Sequence, residues 1–139
     1  MSDPCPVAMR GIVPSLNTPF TDDDRIDETG LRREVDHVIE AGCVGILAMA
    51  VAGESAGLSP DEADRTASIV VEQAGGRVPV ILSVTAEDQD ERLRRAGLAL
   101  ASRADGILCQ APAGTDRAGR RDLLGRIADA GPPLLMIQD

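Results

Sequence analysis

Short apolar runs alternate with longer amphipathic stretches along this chain. Gly11 to Leu16 reads as a strand, and Asn17 to Asp24 as a loop. Asp27 has the character of a helix N-cap. After it Leu31, Val35, Val38 and Ile39 recur at i, i+4, i+7 and i+8, which is one face of an α-helix. Gly42 falls just past that helix, where a left-handed C-cap is wanted. Val44 to Ala50 is unbroken apolar sequence, as a strand covered on both faces requires. Val51 to Leu58 is a loop of small residues. Ser59-Pro60-Asp61-Glu62 then carries the marks of a helix start: serine at the cap, proline at the first helical position, and glutamate three after the cap. The apolar face of that helix is Ala63, Ala67, Val70 and Ala74, and Gly75-Gly76 ends it. Pro79 to Val84 is a third strand. A helix near 88–102 has Leu93, Gly97, Leu100 and Ala101 on one side. Ala104 to Cys109 is a fourth strand, a helix near 116–130 carries Leu124, Ile127 and Ala128, and Pro133 to Gln138 is a fifth strand.

Five strands alternating with four helices predict an α/β chain with a parallel sheet. Two architectures fit: an open doubly wound sheet, or part of a (β/α)8 TIM barrel. Strand starts near 11, 44, 79, 104 and 133 give a unit of roughly 30 residues, so eight units need about 245, close to the usual size of a barrel. On that spacing residues 1–139 form a single domain that is the N-terminal five-strand portion of a barrel, a piece of a longer fold. Its first and fifth strands would be unpaired edges, open to another chain.

Composition narrows the chemistry. Hydrophobic residues are 43% of the 139, enough for a packed core, and aromatics are 1%. The formal charge of −9 and the near absence of stacking side chains argue against nucleic acid. No apolar run reaches the roughly 18–20 residues of a membrane span, and the short, acidic, proline-broken N-terminus is not a signal peptide. Cys5, Cys43 and Cys109 form no C-x-x-C pair; Cys43 and Cys109 read as small buried hydrophobes in a reducing cytoplasm. With His37 as the single histidine, a zinc site is not expected, and neither is a cofactor. All 14 basic residues are arginine, so no side-chain amine within these residues is available to form a Schiff base.

In either architecture a ligand sits at the carboxyl ends of the strands. Those ends hold Asn17 and Thr18, then Val51 to Ser55, then Ser83 and Thr85, then Gln110, then Gln138 and Asp139. Gly53-Glu54-Ser55 is the most informative of them, because small residues let a ligand approach the backbone, and turn amides there could hold a carboxylate. Neither a phosphate P-loop nor a G-x-G-x-x-G turn is present. His37 lies about 240° around its helix from Leu31 and reads as a solvated surface residue. Asp22-Asp23-Asp24 reads as a solvated loop, and the pairs Arg32-Arg33, Arg94-Arg95 and Arg120-Arg121 as exposed helix faces.

From Gly11 to Ile81 the chain resembles the dihydrodipicolinate synthase / N-acetylneuraminate lyase family, the pyruvate-handling class I aldolases. The matching pieces are Thr18-Pro19-Phe20, Ile26-Asp27, Gly42, Gly45-Ile46-Leu47, Gly53-Glu54-Ser55, Leu58-Ser59, Glu62, and Gly76-Arg77-Val78-Pro79-Val80-Ile81. Pro112 and the segment from Pro133 to Asp139 continue the likeness. The resemblance implies a TIM barrel, usually a homo-oligomer in the cytoplasm. It implies a lyase or synthase acting on pyruvate or another 2-keto acid through a Schiff base to a strand-six lysine. By the unit spacing that strand begins near position 163.

The family's Gly-Thr-Thr-Gly-Glu turn is here Ala50-Val51-Ala52-Gly53-Glu54, with two hydroxyls lost. Its Pro-Tyr-Tyr is Pro112-Ala113-Gly114. Its fifth-strand tyrosine is replaced by Gln138, or by Ile137 if the gap falls differently, and glutamine is no general acid. The expected ligand-binding set is therefore Thr18, Ala52, Gly53, Gln110 and Gln138, with Glu54 fixing the loop behind them and no catalytic residue within the chain. Two other readings stay open: a non-catalytic half-barrel that serves interaction or assembly, and an open-sheet module that binds a small molecule.

Overall fold

The structure is a computed structural model, and it describes residues 9–138. Cys5, the N-terminal residues and Asp139 lie outside the described residues. Among the described residues there are four α-helices and four strands: α1 (Glu28–Glu40), β1 (Ile46–Ala48), α2 (Pro60–Ala74), β2 (Val80–Ser83), α3 (Gln89–Ala101), β3 (Gly106–Gln110), α4 (Arg117–Asp129) and β4 (Leu135–Gln138).

Each helix starts where a side-chain oxygen accepts an otherwise unpaired backbone N–H. Asp27 accepts from Gly30, Asp88 from Glu91, and Asp116 from Gly119. At α2 the capping box is complete: Ser59 Oγ accepts from Glu62 N–H, and Glu62 Oε2 accepts from Ser59 N–H at 2.8 Å. Ser59→Ala removes one half of this exchange and is expected to cost about 1 kcal/mol. The cost is read as a lower urea midpoint at unchanged slope, and an unmoved midpoint would show the cap to be dispensable.

All four strands are parallel, in the order β1-β2-β3-β4. That order never reverses, as a doubly wound sheet must at its switch point, so the open-sheet reading gives way to part of a barrel. Successive helices pack α1 on α2, α2 on α3 and α3 on α4. They cover one face of the sheet, where Ile46, Ala48, Val80, Leu82, Ile107 and Cys109 join Leu31, Val35, Ala67, Val70 and Ile127 in a common core. At up to about 25 cal/mol per Å2 of apolar surface, this shared face is what holds helix layer to sheet.

The expected first strand, residues 11–16, is here only an isolated parallel bridge, Ser15 to Leu47. The backbone does run beside β1: Val44 N–H donates to Ile12, Leu47 N–H to Pro14, and Leu16 N–H to Leu47. The next rung of the ladder needs an N–H from residue 14, and proline has none.

Two helix faces differ from expectation. On α3 the buried positions are Arg92, Arg95, Ala96 and Ala99, while Gly97 and Ala101 are exposed. Arg95 is thus a buried residue and not part of a solvated face, because its guanidinium finds three oxygens inside. On α4 the buried residues are Leu123 and Ile127, with Leu124 half-buried and Ala128 exposed. Cys109 is fully buried, and burial pushes its thiol pKa up. Cys43 is only half-buried.

Candidate active site

Register brings the polar ends of the strands together. Gln110 pairs with Gln138 directly across β3 and β4, and Ser83 pairs with Leu108. Side chains two apart on a strand share a face. Ser83, Leu108, Gln110 and Gln138 therefore lie on the face turned away from the helices. The two glutamines expected to orient a ligand stand side by side.

The segment after β1 is a short 3₁₀ turn, Val51–Gly53, followed by Glu54 in the left-handed region at φ 52°. Met49, buried just before it, has φ 60°. Two non-glycine residues at positive φ within six positions cost roughly 1 kcal/mol each, so packing around the turn must hold them. Thr18 supplies one such tie: its buried hydroxyl donates to the Gly53 carbonyl at 2.7 Å. Within the turn, Gly53 N–H donates to Ala50 at 3.1 Å and Glu54 N–H to Val51 at 3.0 Å. The amides of Gly53 and Glu54, expected to receive a carboxylate, are thus bonded inside the turn.

A cleft of about 490 Å3 opens at this end of the sheet, walled by Ala50, Val51, Glu54 to Gly57, Ser83, Thr85, Ala86, Glu87, Gln110 and Gln138. Thr18, Ala52 and Gly53 do not line it: Thr18 and Gly53 are buried, and Ala52 is exposed elsewhere on the turn. A second cleft, about 570 Å3, shares Thr85, Ala86, Glu87, Gln110 and Gln138 and extends over Arg92 and α4.

The hydroxyls in the first cleft are poised to donate. Thr85 Oγ1 accepts from Gln110 N–H at 3.2 Å, and Ser83 Oγ accepts from Thr85 N–H at 3.3 Å. Neither hydroxyl proton has an acceptor among the described residues. A small anion entering here would meet two hydroxyls and two primary amides, no fixed cation, and the Glu54 and Glu87 carboxylates in the same lining. Neutral donors of this kind orient a carboxylate at about 0.5–1.5 kcal/mol per bond.

Sequence reasoning missed the brace behind these walls. Arg95 Nη2 donates to the Ser55 carbonyl at 3.2 Å, and Nη1 to the Thr85 carbonyl at 3.0 Å. Its Nε donates to Glu91 Oε1 at 2.8 Å. One guanidinium thereby joins the loop after β1 to the loop after β2. Arg94 and Arg95 together hold the Glu91 carboxyl well below its usual range, at about 2.

His37 is exposed on α1, and Asp22, Asp23 and Asp24 are exposed in their loop, with Asp23 accepting from Thr21 and Arg25. No cluster of His, Cys, Asp and Glu among the described residues has the makings of a metal site. No helix among them is long and apolar enough to cross a membrane.

Comparison with known proteins gives a consistent result. Residues 8–113 match the model of the dihydrodipicolinate synthetase family. The 4-hydroxy-tetrahydrodipicolinate synthase of Salinibacter ruber is 38% identical over 103 residues, covering 74% of this chain and 34% of that protein. A crystal structure of a dihydrodipicolinate synthase superposes with a TM-score of 0.87 at 29% identity, over 91% of this chain and 44% of its own. A prophage protein of E. coli K12 from the dihydrodipicolinic acid synthase family, solved in complex with pyruvate, gives 0.86 at 26% identity, over 91% and 43%. The chain thus spans about a third of the curated relative's length and under half of the solved chains.

Proposed function

The chain belongs to the dihydrodipicolinate synthetase family, and from that premise we propose that it forms the N-terminal five-strand side of an aldolase-type barrel mouth. The ligand is pyruvate or another 2-keto acid. It is held for Schiff-base chemistry on a lysine that these 139 residues do not contain.

The observation that supports this most is the convergence of strand-end donors. Ser83, Thr85, Gln110 and Gln138 line one cleft at the carboxyl end of a parallel sheet, which is where such barrels bind substrate. In this reading the keto acid's carboxylate lies along the Ser83–Thr85 side, against the loop that Glu54 caps. The two glutamines orient the carbonyl, and neither can move a proton at neutral pH. Thr18 and Gly53 set the position of the loop and do not touch the ligand directly. Ala52 keeps the turn small, and Glu54 fixes it by taking the left-handed conformation at its end.

The chain alone, whose basic side chains are all arginine, offers no side-chain amine for an imine. Covalent chemistry then belongs to a longer protein assembled as a homo-oligomer in the cytoplasm. The test is to read the gene past Asp139, express its product, incubate it with pyruvate and borohydride, and measure intact mass. A single adduct, mapped to a lysine roughly 20–30 residues further on at the end of a sixth apolar strand, is expected. A gene that ends at residue 139, or a longer product that takes no adduct, overturns the reading.

A further inference from the structure

Two carboxylates line the first cleft, and they differ in placement. Glu54 borders that cleft alone, where its left-handed backbone closes the turn. Glu87 lines both clefts, in company with Thr85, Gln110 and Gln138. It is exposed, and its carboxylate makes no hydrogen bond or ion pair among the described residues. Nearby acids on α2 and α3 are engaged: Glu91 with Arg94 and Arg95, Asp64 with Arg94, and Asp88 with the Glu91 N–H.

The backbone that carries Glu87 is held on either side. Before it, the Thr85 carbonyl accepts from Arg95 Nη1, the Thr85 hydroxyl oxygen accepts from Gln110 N–H, and Thr85 N–H donates to Ser83 Oγ. After it, Asp88 caps α3. Glu87 thus projects from an anchored stretch of chain with its carboxylate unengaged. Ser83, Thr85, Gln110 and Gln138 can hold a ligand, but none of them takes up a proton at neutral pH, and the arginines Arg92 and Arg120 of the second cleft only donate. Among the described residues lining the two clefts, Glu54 and Glu87 are the groups able to accept one. Like charge keeps a keto acid's carboxylate off Glu87, so the end of the ligand that faces Glu87 is C3.

We propose that Glu87 is the general base that removes a proton from C3 of the bound keto acid. This rests on the keto-acid reading of the first cleft and adds to it the group that moves the proton. With C2 joined to the lysine as a protonated imine, Glu87 takes one C3 proton. The C3–H electron pair becomes the C2=C3 bond, and the π pair of the imine returns to nitrogen. The products are a neutral enamine and a protonated Glu87, and the reverse step gives the proton back to C3.

The experiment uses the product of the full gene, with pyruvate as the probe, in D2O. Proton NMR follows exchange of the pyruvate methyl protons, and borohydride trapping with intact mass follows the imine. The parent protein should do both. Glu87→Gln should trap the adduct as the parent does and exchange the methyl protons about 10²–10⁴-fold more slowly, the usual contribution of a general base. Glu87→Asp keeps a carboxylate and should recover part of the rate. Both variants should melt with the parent, since the side chain makes no bond within the fold.

Exchange at the parent rate in Glu87→Gln overturns the proposal and leaves the keto-acid reading standing. So does exchange that is lost in Glu54→Gln and kept in Glu87→Gln, which gives the proton to Glu54. Loss of adduct and exchange together in Glu87→Gln would place the residue at imine formation, and the assignment to C3 fails. A parent protein that traps no adduct ends the keto-acid reading and this proposal with it.

Discussion

Replacing Arg95 with methionine is expected to destabilise the protein by about 3 kcal/mol, read as a lower urea midpoint. The side chain is nearly covered and makes three bonds, to the carbonyls of Ser55 and Thr85 and to the Glu91 carboxylate. Methionine keeps much of the apolar stem and removes every donor. Each carbonyl loses a charged partner, at about 1.5 kcal/mol apiece. Lysine should recover little, because a single ammonium cannot span two loops as a planar fork does. Ligand affinity at the mouth should fall with stability, since the Ser55 and Thr85 loops wall the cleft. An Arg95→Met protein with the parent midpoint would remove the brace from this account.

The same network sets a pH dependence. The Glu91 carboxyl is depressed from its usual 4.5 to about 2, chiefly by its hydrogen bonds with Arg94 and Arg95. A carboxylate whose folded pKa lies below its unfolded one contributes fully above the unfolded value, and the contribution fades as pH falls through the folded one. Stability due to Glu91 should thus be complete above about pH 4.5 and decline toward pH 2. In Arg95→Met that decline should be shallower.

Much of the fold is legible in the residues. Asp27, Ser59, Asp88 and Asp116 cap their helices because short polar side chains before amphipathic runs have few other uses. The parallel sheet follows from apolar runs too short for helices. The first strand is less legible, because a single missing N–H at Pro14 breaks the ladder while the chain keeps its path. The α3 face misled for a physical reason. Arg92, Arg95, Ala96 and Ala99 follow the spacing i, i+3, i+4, i+7, yet a hydropathy pattern counts arginine as solvent-facing. The two alanines were the available signal: they leave room for long stems to lie along the sheet. At the mouth, the meeting of Gln110 and Gln138 at neighbouring strand ends was legible from position alone, because parallel strands of one unit length bring their ends level. That the turn would bond its own amides could not be read, since a string of small residues permits open and closed turns alike.

Gly53→Val should destabilise by roughly 2–4 kcal/mol and abolish ligand binding at the mouth. A β-carbon on Gly53 would stand 3.2 Å from the Leu16 carbonyl and 3.3 Å from Thr18 Oγ1. Both neighbours are held, Leu16 by its bond beside β1 and Thr18 by its bond to Gly53 itself. Neither can retreat cheaply, and the γ-methyls of valine add bulk where none fits. Overpacking of this kind costs about 1–3 kcal/mol, and losing the Thr18 bond adds about 1. The turn must then swing outward, carrying Glu54 and Ser55 into the space the ligand would use. His37→Ala, at an exposed position on α1, is the control and should leave midpoint and binding unchanged. In the full gene product, Gly53→Val should also lose the borohydride-trapped pyruvate adduct, while His37→Ala keeps it. An adduct that survives Gly53→Val would mean that the keto acid's carboxylate lies away from this loop, on the β3–β4 side of the mouth.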